Sequence, residues 1–157
     1  MLLPGSLYIV IYSLYQMGTY HWGLYYHCGR NATMQSGVKF HINLDMGSNH
    51  WMTDHGWTNG VLDSTRLIGL LRIASIPTYR SKDMMNLIER TPHNAQGITC
   101  RVWVLNAIQN LMAFGLVRCM GISWLENEAI AFGLAEDPYC QCNVQPRPTR
   151  QSRVCYI

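Results

Sequence analysis

The spacing of apolar and polar positions changes character near residue 61. Before it, apolar residues alternate or run together in short β-branched and aromatic stretches; beyond it, they recur at helical intervals. "SLYIVIYSLY" (6–15) and "YHWGLYYH" (20–27) read as strands joined by a turn over 16–19. In "VKFHINLD" (38–45) alternation sets Val38, Phe40, Ile42 and Leu44 on one face and His41, Asn43 and Asp45 on the other. The run "HWMTDHGW" (50–57) carries no decisive period.

In the second half, Asp63 or Ser64 is placed to cap a helix through Leu67, Leu70, Leu71 and Ala74, with Pro77 just past its end. Ser81 caps a short helix, "KDMMNLIER", that Thr91-Pro92 stops. A third helix opens near Cys100, with Val104, Ile108, Leu111 and Met112 as its buried stripe and Gly115 as its stop. Ser123 and Glu126 stand in capping-box spacing at the head of a fourth. Residues 137–157 hold Pro138, Pro146 and Pro148 without periodicity, and read as an irregular tail open to disorder. Strands followed by helices predict one α+β domain over 1–136, an antiparallel sheet packed against helices.

Composition narrows the function classes. A net charge of +3 over 157 residues, with Arg147, Arg150 and Arg153 confined to the tail, gives no nucleic-acid stripe. "MLLPGSLYIVIYSLY" lacks a basic leader, is broken by Pro4-Gly5, and is too short to span a bilayer as a helix. The expectation is a cytoplasmic protein without an integral membrane segment, its six cysteines free thiols and the sequon Asn31-Ala32-Thr33 idle. No Gly-rich phosphate loop is present, Cys-x-x-Cys spacing does not occur, and His21 and His27 lie about 20 Å apart along one strand. Neither metal nor cofactor is implied, and the sequence leaves the oligomeric state open.

One constellation carries chemistry. A cysteine in the first turn of a helix faces open backbone N–H groups and the positive end of the helix dipole, which favour thiolate. Cys100 is the cysteine so placed. A thiolate needs a base, and His21, at the start of its strand with Gly23 leaving room beside it, is the candidate. His41 is the candidate to orient that base, with Asn43 and Asp45 as substitutes. Gln96 is a candidate oxyanion donor, and Tyr20, Trp22 and Trp103 are candidate pocket walls.

"HWGLYY", then "KFHINLD", then "TCRVWVLNAIQNL" resembles, over roughly residues 6–116, the circularly permuted papain-like hydrolases. These include the lecithin–retinol acyltransferase-like families and related deubiquitinating peptidases. The resemblance implies a Cys-His-His triad of Cys100, His21 and His41, acting on an amide, ester or thioester of a small-molecule or peptide acyl substrate. The chain departs from the acyltransferases in carrying Thr99-Cys100-Arg101-Val102 where they have an Asn-Cys-Glu motif, and in a longer His21–His41 spacing. Two other functions fit the same residues: a small-metabolite cyclase or isomerase, and a silent module that binds a ligand or partner in the cleft.

Overall fold

The computed structural model describes residues 1–14, 16, 18–29 and 36–157. The sequon lies outside them. Six strands form one sheet: β1 (Ser6–Ser13), β2 (Tyr20–His27), β3 (Gly37–Asp45), β4 (His50–Thr58), β5 (Leu67–Ser75) and β6 (Thr149–Gln151), in the order β4-β3-β2-β1-β5-β6. Every pairing is antiparallel except β5 with β6. Three helices, α1 (Ser81–Glu89), α2 (Cys100–Ala113) and α3 (Ile122–Gln141), complete an α+β architecture.

The sheet has two unlike faces. Along β2, Trp22, Leu24 and Tyr26 join Ile9, Phe40 and Ile42 against Trp103, Val104 and Ile108 of α2 and Leu125 and Phe132 of α3. Residues of opposite parity turn away from the helices, where Tyr8, Val10 and Tyr25 meet Leu2, Val61, Leu67 and Leu70 in a smaller cluster. β1 is buried almost throughout, as its unbroken apolar run requires of a central strand.

Two expectations are corrected here, and one ambiguous run is settled. Residues 67–75 form a strand, not a helix. The pairing of β5 with β1 slips at two points, so Leu67 and Leu70 lie in one cluster and Ile68 and Leu71 in the other. Such irregularities shift the two-residue period and imitate helical spacing. The ambiguous run at 50–57 is edge strand β4. α3 begins at Ile122 with Gly121 as its cap and no side-chain capping bond, so Ser123 and Glu126 do not form the predicted box.

The tail is ordered. α3 runs through the predicted boundary at 137 to Gln141 with Pro138 inside it, and β6 extends the sheet beside β5. Arg150 pairs with Glu136, the amide of Arg153 donates to Glu128, and a disulfide joins Cys119 to Cys155. That bond replaces two of the six expected free thiols; disulfides persist in oxidising surroundings, which is at odds with the reducing compartment inferred from the sequence. Among the described residues, no helix is long and apolar enough to cross a membrane.

Candidate active site on the open face of the sheet

Strand parity decides the site. β1, β2 and β3 are neighbours, and their outward-facing residues converge where the helices do not cover them. Tyr12 pairs with His21 across β1 and β2, and Val10 pairs with Gly23. A Cβ on Gly23 would lie 2.5 Å from Cε1 of His41, so glycine is what allows that imidazole to lie across β2. His21 Nε2 and His41 Nδ1 are 2.8 Å apart and share a hydrogen bond, with the rings stacked at 5.1 Å. The Tyr12 ring packs on both, at 6.1 Å from His21 and 5.6 Å from His41.

This group opens into a cleft of about 430 Å³, walled by Lys39, Asn43, Asp54, Ser64 and Arg66. Asp54 is held by Lys39, whose Nζ donates to both carboxylate oxygens at 2.9 and 2.8 Å, and by Asn43 Nδ2 at 3.3 Å. The lysine bonds keep the Asp54 carboxyl below its ordinary range. His41 is pulled down to about 3, first by burial and then by the charges of His21 and Lys39. Burial also lowers His21, against an upward pull from Asp54. At pH 7 the imidazole pair is therefore neutral, with one N–H between the two rings. Tyr12 is raised to about 12, mainly by burial, so its phenol stays protonated.

Cys100 lies on the other side of the same strand. Thr99 caps α2 by accepting the Val102 amide hydrogen, and Cys100 is the first helical residue. Its thiol donates to the Tyr20 carbonyl at 3.9 Å, so the sulfur rests against the helix-facing side of β2. Cys100 lines a separate cleft of about 340 Å³ with Thr19, Tyr20, Trp22, Thr99 and Arg101. His21, one residue from both Tyr20 and Trp22, faces the opposite way. Cys100 and His21 stand back to back across one backbone, and the Cys-His contact expected from the sequence is not made. The expected thiolate is not favoured either. Burial raises the thiol pKa, more than the amides of Trp22, Arg101 and Cys100 and the Arg101 charge lower it.

The other predicted site residues divide the same way. Asn43 lines the histidine cleft but reaches Asp54 rather than an imidazole. Asp45 caps its own turn by accepting from Ser48. Gln96 is exposed before α2 and lines neither cleft. Trp103 is no pocket wall: it is fully buried, and its indole N–H donates to the Thr91 carbonyl at 3.2 Å. Tyr20 and Trp22 border the cysteine's cleft. Tyr12, Lys39, Asp54 and Arg66 were not foreseen. The alternation that placed His41 also places Lys39, whereas Asp54 lay in the run whose period was ambiguous.

The chain matches no protein-family model, and no curated protein or solved structure proved similar to it.

Proposed function

We propose that this protein carries out acid–base chemistry, isomerisation or cyclisation, on a small polar molecule bound over the His21–His41 pair. The observation that carries this reading is the 2.8 Å bond between two neutral imidazoles at the base of an open cleft. A neutral histidine is the side chain suited to taking a proton near pH 7. In the tautomer where His21 Nε2–H donates to His41 Nδ1, His21 Nδ1 is the free base. The imidazolium formed there keeps its hydrogen bond to His41 and gains from the Asp54 charge. The protonated Tyr12 hydroxyl is a donor for an oxygen that becomes negative as the proton leaves.

The test is solvent-deuterium incorporation into a panel of small hydroxy-ketones and keto acids in D2O, followed by NMR. His21→Gln should lower catalysed exchange at least a hundredfold, while Cys100→Ser leaves it intact. Exchange indifferent to His21→Gln would overturn the reading.

A second reading keeps the cysteine-dependent hydrolase or acyl transferase of permuted papain-like type. It is favoured by Cys100 being the first residue of α2 and lining a cleft of its own. Loss of turnover in Cys100→Ser, with a trapped acyl-thioester in the parent, would establish it in place of the first.

A further inference from the structure

A cavity of about 610 Å³ opens at the far end of β2 from His21. Tyr26 and Cys28 wall it, with Trp57 near the end of β4, Ile76 and Pro77 just past β5, and Met85 of α1. It shares no lining residue with the histidine cleft and is a separate site. Among the described residues, no Asp, Glu, Lys, Arg or His lines it. Arg80, two positions beyond the lining residue Thr78, is engaged elsewhere: it pairs with Asp83 at 3.4 Å and lies over the Phe114 ring at 5.3 Å.

The walls are tied to one another. Gly5, which also lines the cavity, donates its amide to the His27 carbonyl at 2.8 Å and accepts the Ile76 amide at 2.6 Å. Its φ of 73°, and the 3.2 Å that would separate an added Cβ from the Ile76 carbonyl oxygen, make glycine the residue for that junction. Pro4 and Pro77 add wall with fixed φ and no N–H. The polar side chains of the wall already serve the protein. The Tyr26 hydroxyl donates to the Ile76 carbonyl at 3.2 Å, the Ser81 hydroxyl to the Thr78 carbonyl at 2.7 Å, and the Cys28 thiol to the Tyr26 carbonyl at 3.8 Å. Burial pushes the Cys28 thiol pKa up, so the sulfur too is neutral at pH 7. Trp57 is nonetheless 69% exposed at this wall. Leu3 and Tyr79, exposed chain neighbours of the lining residues Pro4 and Thr78, add apolar side chains to the same end of the molecule.

We infer that this cavity is a binding site for a small uncharged molecule with an aromatic or aliphatic body, stacked on Trp57 and set against Ile76 and Met85. A charged ligand would give up its hydration here and meet no ion-pairing partner. An apolar one gains contact with walls that are already braced, so little ordering is left to oppose binding. The volume lies within the roughly 300–1,000 Å³ of sites that take drug-sized ligands. The inference goes beyond the proposed function and does not depend on it.

The test is titration of the whole chain with N-phenyl-1-naphthylamine, a dye uncharged at pH 7, followed by the fluorescence of the dye. Binding should saturate, and the bound dye should slow iodoacetamide alkylation of Cys28 while leaving that of the exposed Cys142 unchanged. The sulfonate of the same ring system, 1-anilinonaphthalene-8-sulfonate, should bind about tenfold more weakly or worse. Trp57→Ala removes an exposed side chain and should weaken the uncharged dye about tenfold. Trp124→Ala, at an exposed position on α3, should leave its binding unchanged. Absence of saturable binding, unprotected Cys28, equal affinity for the sulfonate, or equal effects of Trp57→Ala and Trp124→Ala would overturn the site.

Discussion

One strand serves two environments. The face of β2 toward the helices carries Trp22, Leu24 and Tyr26 into a core closed by Trp103, where polar groups are few. Its other face carries His21, Gly23, Tyr25 and His27, with three polar or titratable side chains in four positions. The first face stabilises the fold; the second borders a cleft with charged walls at its His21 end, while Tyr25 and His27 further along it are buried. Since strand side chains alternate with a period of two, residues adjacent in sequence serve opposite purposes. His21 and Trp22 are the clearest pair.

Substitutions on the two faces should therefore differ in kind. The largest loss of stability belongs to the helix face. Trp103→Ala empties a fully buried site and strands the Thr91 carbonyl, and should cost about 3–5 kcal/mol in urea unfolding. A cost near that of an exposed site would show that the helix face is not the main core.

Gly23→Ala tests the open face. Its Cβ would collide with His41, so the ring must move and the histidine hydrogen bond must break. We expect a loss of about 1–3 kcal/mol, together with displaced His21 and His41 ring signals while the Trp103 environment is unchanged. An intact ring-to-ring contact in this variant would contradict the geometry.

The open face should also make stability depend on pH. The folded pKa of His41, about 3, lies below the ordinary 6.5, so between these values the unfolded chain holds a proton that the native state lacks. Its stabilising contribution is complete above pH 6.5 and is lost as pH falls toward 3. The slope approaches about 1.4 kcal/mol per pH unit for this one group. Urea midpoints measured from pH 7 to 4 should fall more steeply in the parent than in His41→Gln. Equal slopes would show that His41 is not buried in its neutral form.

The smallest effect concerns the cap of α2. Thr99→Ala removes the side-chain acceptor of the Val102 amide and should cost about 1 kcal/mol, without moving either histidine signal.

Much of the fold was legible in the sequence, because period and punctuation act locally. β2 and β3 follow from their aromatic or alternating runs, α1 from its Thr91-Pro92 stop, although Ser81 is its first residue and not its cap, and α2 from its opening near Cys100 to the Gly115 stop. β5 was misread because irregular pairing with β1 gave its leucines a helical rhythm, and the tail because β6 is held by the disulfide and by Arg150–Glu136, contacts that no local pattern encodes. At the site, the sequence placed His21 and Gly23 on one face of β2 and His41 on the polar face of β3. It could not say on which face of the sheet α2 would pack, and that choice alone parts Cys100 from His21.

The most direct measurement of this separation is an NMR pH titration of the His21 ring in three proteins: the parent, Cys100→Ser and His41→Gln. Back-to-back placement predicts that Cys100→Ser leaves the His21 titration where it was, while His41→Gln shifts it by removing a bonded, buried neighbour. A His21 titration that moves in Cys100→Ser, or a parent that shows an imidazolium–thiolate pair, would place sulfur and imidazole on the same side of β2 and contradict the two-faced account.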